Sequence, residues 1–216
     1  KYWGKADESL RIPTTSSLSL TLDATRTTTT VSFDGGADGA DAVSVDGARL
    51  AGTALGRVTR FLDLVRARSG VTAPATVTST STVPLAAGLA SSAAGFAALA
   101  AASSRAAGMA LDARALSRLA RRGSGSAARS VFGPLVLWNA GTDDATSYAE
   151  PVTCRTDLAM VVLVLCAGHK PVPSTVAMRR TVDTSPLYPA WVEASGRDLG
   201  AALEAVRDGD LEGLGQ

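Results

Sequence analysis

Histidine and cysteine are scarce in this sequence of 216 residues, which has one histidine, His169, and two cysteines, Cys154 and Cys166. A structural zinc site usually takes four such ligands, so a zinc-stabilised fold is excluded. A Ser-His-Asp triad is equally unsupported, because the sole histidine has no partner motif. Cys166 ends an apolar run, which favours a buried free thiol over a disulfide.

Aromatic residues and excess charge are also lacking. Aromatic residues make up 5% of the chain, and 21 basic residues against 20 acidic ones leave a net charge of +1. That balance demands neither nucleic acid nor an acidic membrane as a partner. The longest apolar run, residues 158–167, is too short to span a bilayer. We therefore expect a cytoplasmic protein with no nucleic-acid or membrane partner.

The hydrophobic pattern predicts strands and helices without a regular alternation. Alternating and β-branched segments predict strands at residues 18–22, 27–33, 42–45, 76–82, 131–138 and 158–165. Helical spacing predicts helices at residues 53–69, 91–108, 113–122, 175–182 and 190–208. Asp46-Gly47 predicts a hairpin turn, Asp112 an N-cap, and Gly123 a left-handed C-cap. This irregular order favours an α+β fold over a doubly wound parallel sheet.

The polar stretch 141–157 predicts a domain boundary. We expect an N-terminal domain over residues 1–153 and the start of a second, truncated domain over residues 154–216. Both ends of the sequence, Lys1-Tyr2-Trp3-Gly4-Lys5 and the unfinished helix at 211–216, are typical of a piece of a longer protein.

One small-residue loop has the composition of a phosphate-binding site. It consists of Ala87, Gly88, Leu89, Ala90, Ser91 and Ser92. Small residues let the backbone approach an anion, and the start of the following helix offers unpaired N–H groups and partial positive charge. The loop is not a Walker A sequence. The alternative is a small-residue helix packed tightly against another helix.

A second small-residue segment adds a cation. Ser124, Gly125 and Ser126 can supply N–H and O–H donors, and Arg129 can bind a carboxylate or phosphate through two parallel hydrogen bonds. The alternative is a flexible link with a surface arginine. Two such segments in one chain favour a site for two anionic ligands.

Three weaker candidates complete the set. Lysine is limited to three positions, so Lys1 and Lys5, with Tyr2 between them, form a conspicuous polar cluster or a solvated terminus. Asp143-Asp144 is a polar turn more readily than a metal site, and His169-Lys170 carries no catalytic prediction. We predict no specific metal ligand.

Five segments together resemble the diphosphomevalonate decarboxylases of the GHMP-kinase superfamily, in the family's order and roughly its spacing. They are Lys1-Tyr2-Trp3-Gly4-Lys5, Pro13-Thr14-Thr15-Ser16-Ser17-Leu18-Ser19, Ala86-Ala87-Gly88-Leu89-Ala90-Ser91-Ser92-Ala93, residues 122–129, and Thr181-Val182-Asp183-Thr184-Ser185-Pro186. The resemblance implies a two-domain GHMP-kinase fold, commonly found as a homodimer. It also implies ATP and Mg²⁺ as cofactors and mevalonate 5-diphosphate as substrate, decarboxylated to isopentenyl diphosphate after phosphorylation of the 3-hydroxyl.

The resemblance also implies roles for individual residues. It assigns the ATP phosphates to Ala87, Gly88, Leu89, Ala90, Ser91 and Ser92. It assigns the substrate to Tyr2, Lys5, Ser124, Gly125, Ser126, Arg129 and Ser174. Arg129, which would hold the substrate carboxylate, and Lys1 are the implied catalytic residues.

Several positions depart from the family pattern. Ala128 replaces a cysteine, Phe132-Gly133-Pro134-Leu135 replaces Phe-Gly-Gly-Phe, and Thr175 follows Ser174 where bacterial members often have arginine. The family's catalytic aspartate motif is absent from these residues, so we expect the 216-residue chain alone to be inactive. A mevalonate 3-kinase, a phosphomevalonate decarboxylase and a non-catalytic binding homologue remain alternatives.

Overall fold

The computed structural model describes residues 2–36, 38–82, 91–163 and 172–215. Their strands form three sheets of two, three and four strands. The two-stranded sheet pairs β1 (Lys5–Asp7) with β2 (Ile12–Pro13), and it holds the polar N-terminal segment against the body of the protein. The irregular mixture of strands and helices agrees with the predicted α+β class.

The four-stranded sheet has the order β4-β7-β5-β6. Its strands are β4 (Thr27–Ser32), β5 (Ala42–Val45), β6 (Ala48–Arg49) and β7 (Thr76–Ser81). β5 and β7 run parallel and the other pairs are antiparallel. Asp46 and Gly47, with φ values of 50° and 79°, turn the chain between β5 and β6, which confirms the hairpin prediction.

Helices α1 (Gly52–Ser69), α2 (Ser91–Ala106) and α3 (Ala113–Gly123) pack with this sheet around the main core. The predicted cap is confirmed, since Asp112 accepts a hydrogen bond from the N–H of Ala115 at 2.7 Å. The small residues of α2 bring it close to its neighbours, and Phe61 and Phe96 meet edge to face at 5.5 Å across the core.

The prediction for Gly123 is wrong. Gly123 is the last residue of α3, and Ser124, with an extended φ of −152°, is the cap. Glycine is needed there for space, because a Cβ at this position would overlap the ring of Phe96. The following segment is a 3-10 helix (Gly125–Val131) rather than an open loop.

The three-stranded sheet has the order β3-β8-β9, with β3 (Ser17–Leu20), β8 (Leu135–Trp138) and β9 (Ala149–Pro151). The predicted strand at 131–138 is therefore shorter, because Val131 ends the 3-10 helix. β9 lies within the stretch predicted to be only a polar boundary. A second, smaller core forms here around Trp138, Val136, Ala128 and Ala149.

Three helices follow, α4 (Ser174–Thr184), α5 (Tyr188–Asp208) and α6 (Leu211–Gly215). The two longer ones confirm the predictions. The predicted buried strand at 158–165 is wrong over the residues that are described, because 158–163 have no regular structure. Val161 and Leu163 there are 90% and 79% exposed, so these side chains are not buried in a sheet of the described residues.

Candidate functional site

The end of α3 and the 3-10 helix place the second small-residue segment against the N-terminal residues. A Cβ on Gly125 would lie 2.8 Å from the Tyr2 hydroxyl oxygen and 3.1 Å from Cη2 of Trp138. Both distances are too short for ordinary contact, so only glycine lets the backbone approach these two rings. The segment predicted as a loop is thus a tightly packed wall beside Tyr2.

Tyr2 is held in this wall by its ring. Its centroid lies 4.9 Å from that of Trp138, with the planes tilted by 54°. Burial raises the pKa of Tyr2 to about 12, although the positive charges of Arg11 and Arg129 act in the opposite direction. Tyr2 therefore keeps its proton at physiological pH and remains a hydrogen-bond donor.

Arg129 lies within the same group of residues. Its Nη1 donates a 2.6 Å hydrogen bond to Oγ of Ser17 on β3, and its guanidinium carbon lies 5.7 Å from the Trp138 ring centroid. Burial lowers the pKa of Arg129, partly offset by Tyr2. In the ranges that the structure describes, no carboxylate pairs with this cation. A mostly buried guanidinium without a counter-charge is suited to receive an anionic group from a ligand.

The N-terminus of α2 approaches this group. Of the predicted phosphate loop, Ala87, Gly88, Leu89 and Ala90 lie outside the described residues, whereas Ser91 and Ser92 form the first turn of α2. The hydroxyl oxygens of Ser92 and Ser124 are 3.5 Å apart. The structure therefore joins the two small-residue segments that the sequence separates by 32 positions.

The same first turn opens onto a cavity of about 520 Å³ between the four-stranded sheet and helices α1 and α2. Its walls are mainly apolar, and they include Val43, Val58, Val77, Phe96 and Leu99. Ser91 and Ser92 supply hydroxyl groups at its α2 side. An apolar cavity that adjoins a helix N-terminus can accept a flat ring system with a charged tail.

The remaining predicted site residues lie on several different elements. Lys5 lies on β1, where its Nζ pairs with Glu8 at 2.6 Å and its side chain is only 3% exposed. Ser126 and Arg129 both line a further cavity of about 650 Å³ beside α2. Ser174, the first residue of α4, is exposed. Lys1 lies outside the described residues, as does His169-Lys170.

The sequence did not single out three residues that the structure places here. Ser17 holds Arg129, and Trp138 supports both Tyr2 and Gly125. Tyr188 on α5 donates to the carbonyl of Trp3 and contacts the Thr14 hydroxyl, both at 3.0 Å, and so ties α5 to the N-terminal segment. Ser17 stands inside one of the family-like segments, but nothing in its local pattern indicated a partner 112 residues away.

The alternative that Asp143-Asp144 holds a metal is not supported. Asp144 binds Arg118 at 2.7 Å and also Arg121, while Asp143 caps the turn by accepting from Thr146. Across the described ranges, no group of three or more His, Cys, Asp or Glu side chains could hold a metal ion. Nor is any helix in that part of the chain long and apolar enough to cross a membrane.

Three comparisons relate this geometry to known proteins. The family described as "Diphosphomevalonate decarboxylase-like N-terminal domain" matches residues 1–149. Diphosphomevalonate decarboxylase mvd1 of Aspergillus fumigatus is 38% identical over 98% of this chain and 57% of its own length. The chain thus spans little more than half of that relative.

Several solved structures match the whole chain, and two of them show the degree of similarity. The mevalonate diphosphate decarboxylase of Staphylococcus aureus superposes with a TM-score of 0.94 at 43% identity, covering 100% of this chain and 66% of that one. A complex described as MDDEF with MVAPP, AMPPCP and magnesium gives a TM-score of 0.89 at 43% identity, with the same coverage of 100% and 66%. The fold is therefore of the GHMP-kinase type, and this chain belongs to the diphosphomevalonate decarboxylase family.

Proposed function

We propose that this protein acts in the ATP-dependent decarboxylation of mevalonate 5-diphosphate to isopentenyl diphosphate. The observation that carries the proposal is the meeting of Ser92 and Ser124 at 3.5 Å, at the start of the 3-10 helix that carries Arg129, a cation with no carboxylate partner among the described residues, in a chain of this family. Two donor-rich segments and one uncompensated cation suit a nucleotide phosphate and a substrate carboxylate held side by side.

The chemistry requires this proximity. The γ-phosphoryl group of ATP passes to the tertiary 3-hydroxyl of the substrate, and that hydroxyl proton leaves. The C–O bond to the new phosphate and the C–C bond to the carboxylate then break, releasing phosphate and carbon dioxide as the double bond forms. Arg129 would orient the carboxylate, and Ser124, Gly125 and Ser126 would fix the neighbouring part of the substrate.

The nucleotide would lie across the start of α2. Its phosphates would face Ser91 and Ser92 and the preceding residues 87–90, while its purine ring would enter the cavity of about 520 Å³ lined by Val43, Val77 and Phe96. The residues present fit ATP and Mg²⁺, because serine hydroxyls and helix N–H groups can donate to phosphate oxygens, and a serine hydroxyl oxygen could join the metal shell. Mg²⁺, when bound, would offset phosphate charge.

Tyr2, Lys5 and Ser174 would bind the diphosphate end of the substrate. Tyr2 supports this role through its retained proton, and Lys5 through its position on β1 next to the Tyr2 segment. Lys1, a catalytic candidate, and Ser174 rest on the family resemblance. In this arrangement Lys5 would keep its contact with Glu8 and donate its other ammonium hydrogens to the ligand.

Three further features belong to the proposal. We place a domain boundary between residues 153 and 154, just beyond β9, because the stretch 159–163 is exposed. We also propose a homodimer in the cytoplasm. Limited proteolysis would test the boundary, light scattering the dimer, and cell fractionation the compartment.

The reaction is tested on the purified gene product with ATP, Mg²⁺ and mevalonate 5-diphosphate. Release of carbon dioxide, ADP and phosphate in equal amounts is expected. Formation of ADP with a stable 3-phosphate would instead identify a 3-kinase, and the absence of ATP turnover would identify a binding homologue. Tests with mevalonate 5-phosphate under the same conditions check the substrate form.

The 216-residue chain offers a separate test by binding. Calorimetry should detect mevalonate 5-diphosphate binding to this chain but no turnover, because the predicted catalytic aspartate is not among these residues. Arg129→Ala should weaken that binding, whereas Arg207→Ala, an exposed arginine on α5, should leave it unchanged.

A further inference from the structure

A second cation-rich concavity lies on the outer side of α1. It has a volume of about 340 Å³ and is formed by the turn after β1, by α1, and by the end of α3. Four arginines line it: Arg11, Arg57, Arg60 and Arg122. We call these residues and the space between them the arginine groove. Neither Tyr2, Ser124 nor Arg129 lines this groove, so it is separate from the proposed substrate site.

The carboxylates of the groove do not neutralise its arginines. Glu8 and Asp63 also line it, but Glu8 pairs with Lys5 at 2.6 Å and Asp63 pairs with Arg66 at 2.8 Å. Among the described residues, no ion pair joins any of the four arginines to an acidic side chain. The groove therefore keeps an excess of positive charge.

The hydrogen bonds of the arginines leave donors unused. Arg11 Nε donates to the backbone carbonyl of Arg122 at 2.8 Å, which fixes Arg11 but neutralises no charge. Within the described residues, Arg122 Nε is buried and has no hydrogen-bond partner; the same holds for Nε and Nη1 of Arg121, but Arg121 has an ion pair with Asp144. Arg57 lies over the ring of Phe96, with its guanidinium carbon 5.4 Å from the centroid. A buried donor without a partner costs free energy that a ligand acceptor would recover.

The arginines of the groove repel one another, and the pKa of Arg11 reflects this. Burial lowers that pKa most and the nearby charge of Arg57 lowers it further, while Tyr2 and Glu8 act in the opposite direction. A protein that gathers like charges around one space loses stability unless an anion enters that space. Guanidinium forks match the several acceptor oxygens of a phosphate or diphosphate group.

We propose that the arginine groove is a binding site for a small phosphorylated anion, distinct from the substrate site. The phosphate oxygens would accept from Arg11 and Arg122 at the base of the groove, with Arg57 and Arg60 closing its open side. A volume of about 340 Å³ admits a phosphate ester or diphosphate with a short carbon chain.

The groove is connected to the proposed active site through two routes. Arg122 and Gly123 directly precede Ser124, so a ligand that draws on Arg122 acts two residues from the substrate segment. Arg57 also lines the apolar cavity proposed for the nucleotide. Occupation of the groove is thus positioned to alter ligand binding at the active site.

The probe for the test is inorganic pyrophosphate, titrated by calorimetry into the purified gene product at low salt. Arg60→Gln changes an exposed residue and should not affect folding, and Arg122→Gln removes the unpartnered donor. Each should weaken pyrophosphate binding at least tenfold, because each removes a charge-assisted contact. Arg207→Gln on α5 is the matched control and should bind as the parent does.

Tyr2→Phe separates this proposal from the proposed function, because it removes a hydroxyl assigned to the diphosphate end of the substrate. Pyrophosphate binding that survives Tyr2→Phe and is weakened by both groove variants supports a separate site. Binding that is lost in Tyr2→Phe but kept in Arg60→Gln and Arg122→Gln would assign pyrophosphate to the substrate site, and the groove proposal would be overturned while the proposed function stands. Absence of pyrophosphate binding at millimolar concentration would also overturn it.

Discussion

Two neighbouring arginines at the end of α3, Arg121 and Arg122, differ in whether a carboxylate of the described residues pairs with them. Arg121 is fully buried and its Nη2 binds Asp144, which also takes Arg118 at 2.7 Å. Arg122 turns into the arginine groove, where its Nε has no partner. Arg121 has a carboxylate partner, although its Nε and Nη1 also lack hydrogen-bond partners among the described residues, whereas no carboxylate there pairs with Arg122. Arg129 resembles Arg122, because within the described residues its hydrogen bond goes to the neutral Ser17 hydroxyl and no carboxylate pairs with it.

The difference separates structural from ligand-binding cations. A charge that the fold needs is neutralised by the chain itself, since a buried unpaired ion costs several kcal/mol. A charge that a ligand needs is held in place by neutral groups, such as the Ser17 hydroxyl at Arg129 or the Arg122 carbonyl at Arg11. Substitutions in each class should therefore have different consequences.

The largest effect is expected for Asp144→Ala. It leaves Arg121 buried and without its carboxylate, which should lower the free energy of unfolding by about 3–5 kcal/mol. Urea denaturation measures this loss. The control is Asp183→Ala, which removes only an exposed contact to Arg179 at 3.7 Å and should leave the urea midpoint nearly unchanged. A similar small change for Asp144→Ala would contradict the structural role of this cluster.

Arg129→Ala should instead affect catalysis more than folding. Loss of a charge-assisted contact to the substrate carboxylate is worth about 1.5–3 kcal/mol, or roughly a 10- to 150-fold fall in kcat/KM of the gene product. Arg129→Lys should recover only part, because an ammonium cannot form the planar fork. The assignment of Arg129 to ligand binding would be contradicted if Arg129→Ala lowered the free energy of unfolding as much as Asp144→Ala does, or left kcat/KM unchanged.

Gly123 directly follows Arg121 and Arg122 at the end of α3. Gly123→Ala should therefore shift the positions of both arginine side chains. The added methyl group would overlap the Phe96 ring, at a cost of about 1–3 kcal/mol in the free energy of unfolding. Gly200→Ala in α5 is the control, since a Cβ there meets nothing within 4 Å, and alanine should stabilise this helix by about 0.5–1 kcal/mol. Equal effects of the two substitutions would disprove the packing argument at Gly123.

The pH dependence of the free energy of unfolding should show the structural role of Asp144 a second time, with a smaller effect than the substitutions above. Burial alone would raise the pKa of Asp144, but Arg118 and Arg121 outweigh it and hold this pKa below its usual value. The unfolded chain then binds more protons than the folded one at acid pH. The contribution of Asp144 is present above about pH 4 and is lost as the pH falls through the folded pKa. Urea midpoints measured between pH 7 and pH 3 should fall less steeply for Asp144→Ala than for the parent, and equal slopes would argue against it.

Local signals predicted most of the helices and several of the strands, but not how the strands pair into three sheets. The spacing of α1, the Asp112 cap and the Asp46-Gly47 turn depend on residues close in sequence, so their patterns are readable. The predicted strand at 158–165 was wrong over 158–163. An apolar run has the same sequence pattern whether or not it pairs with another strand. Gly123 was misread because the need for glycine came from Phe96, which is distant in sequence.

The candidate site was predictable in its parts but not in its assembly. Small residues and a following arginine indicated Ser124, Gly125 and Arg129, and the family resemblance linked them to Tyr2. The support from Ser17 and Trp138 depends on pairing between β3 and β8, which are over 110 residues apart in sequence. The arginine groove was missed for the same reason, because its cations come from three separate elements.

The central claim is that Arg129 binds the carboxylate of the substrate. Calorimetry with mevalonate 5-diphosphate and isopentenyl diphosphate, which lacks the carboxylate, tests it on the parent protein and on Arg129→Ala. We predict that the substitution weakens mevalonate 5-diphosphate binding at least tenfold and changes isopentenyl diphosphate binding less than about twofold. Equal weakening of both ligands, or of neither, would contradict the claim.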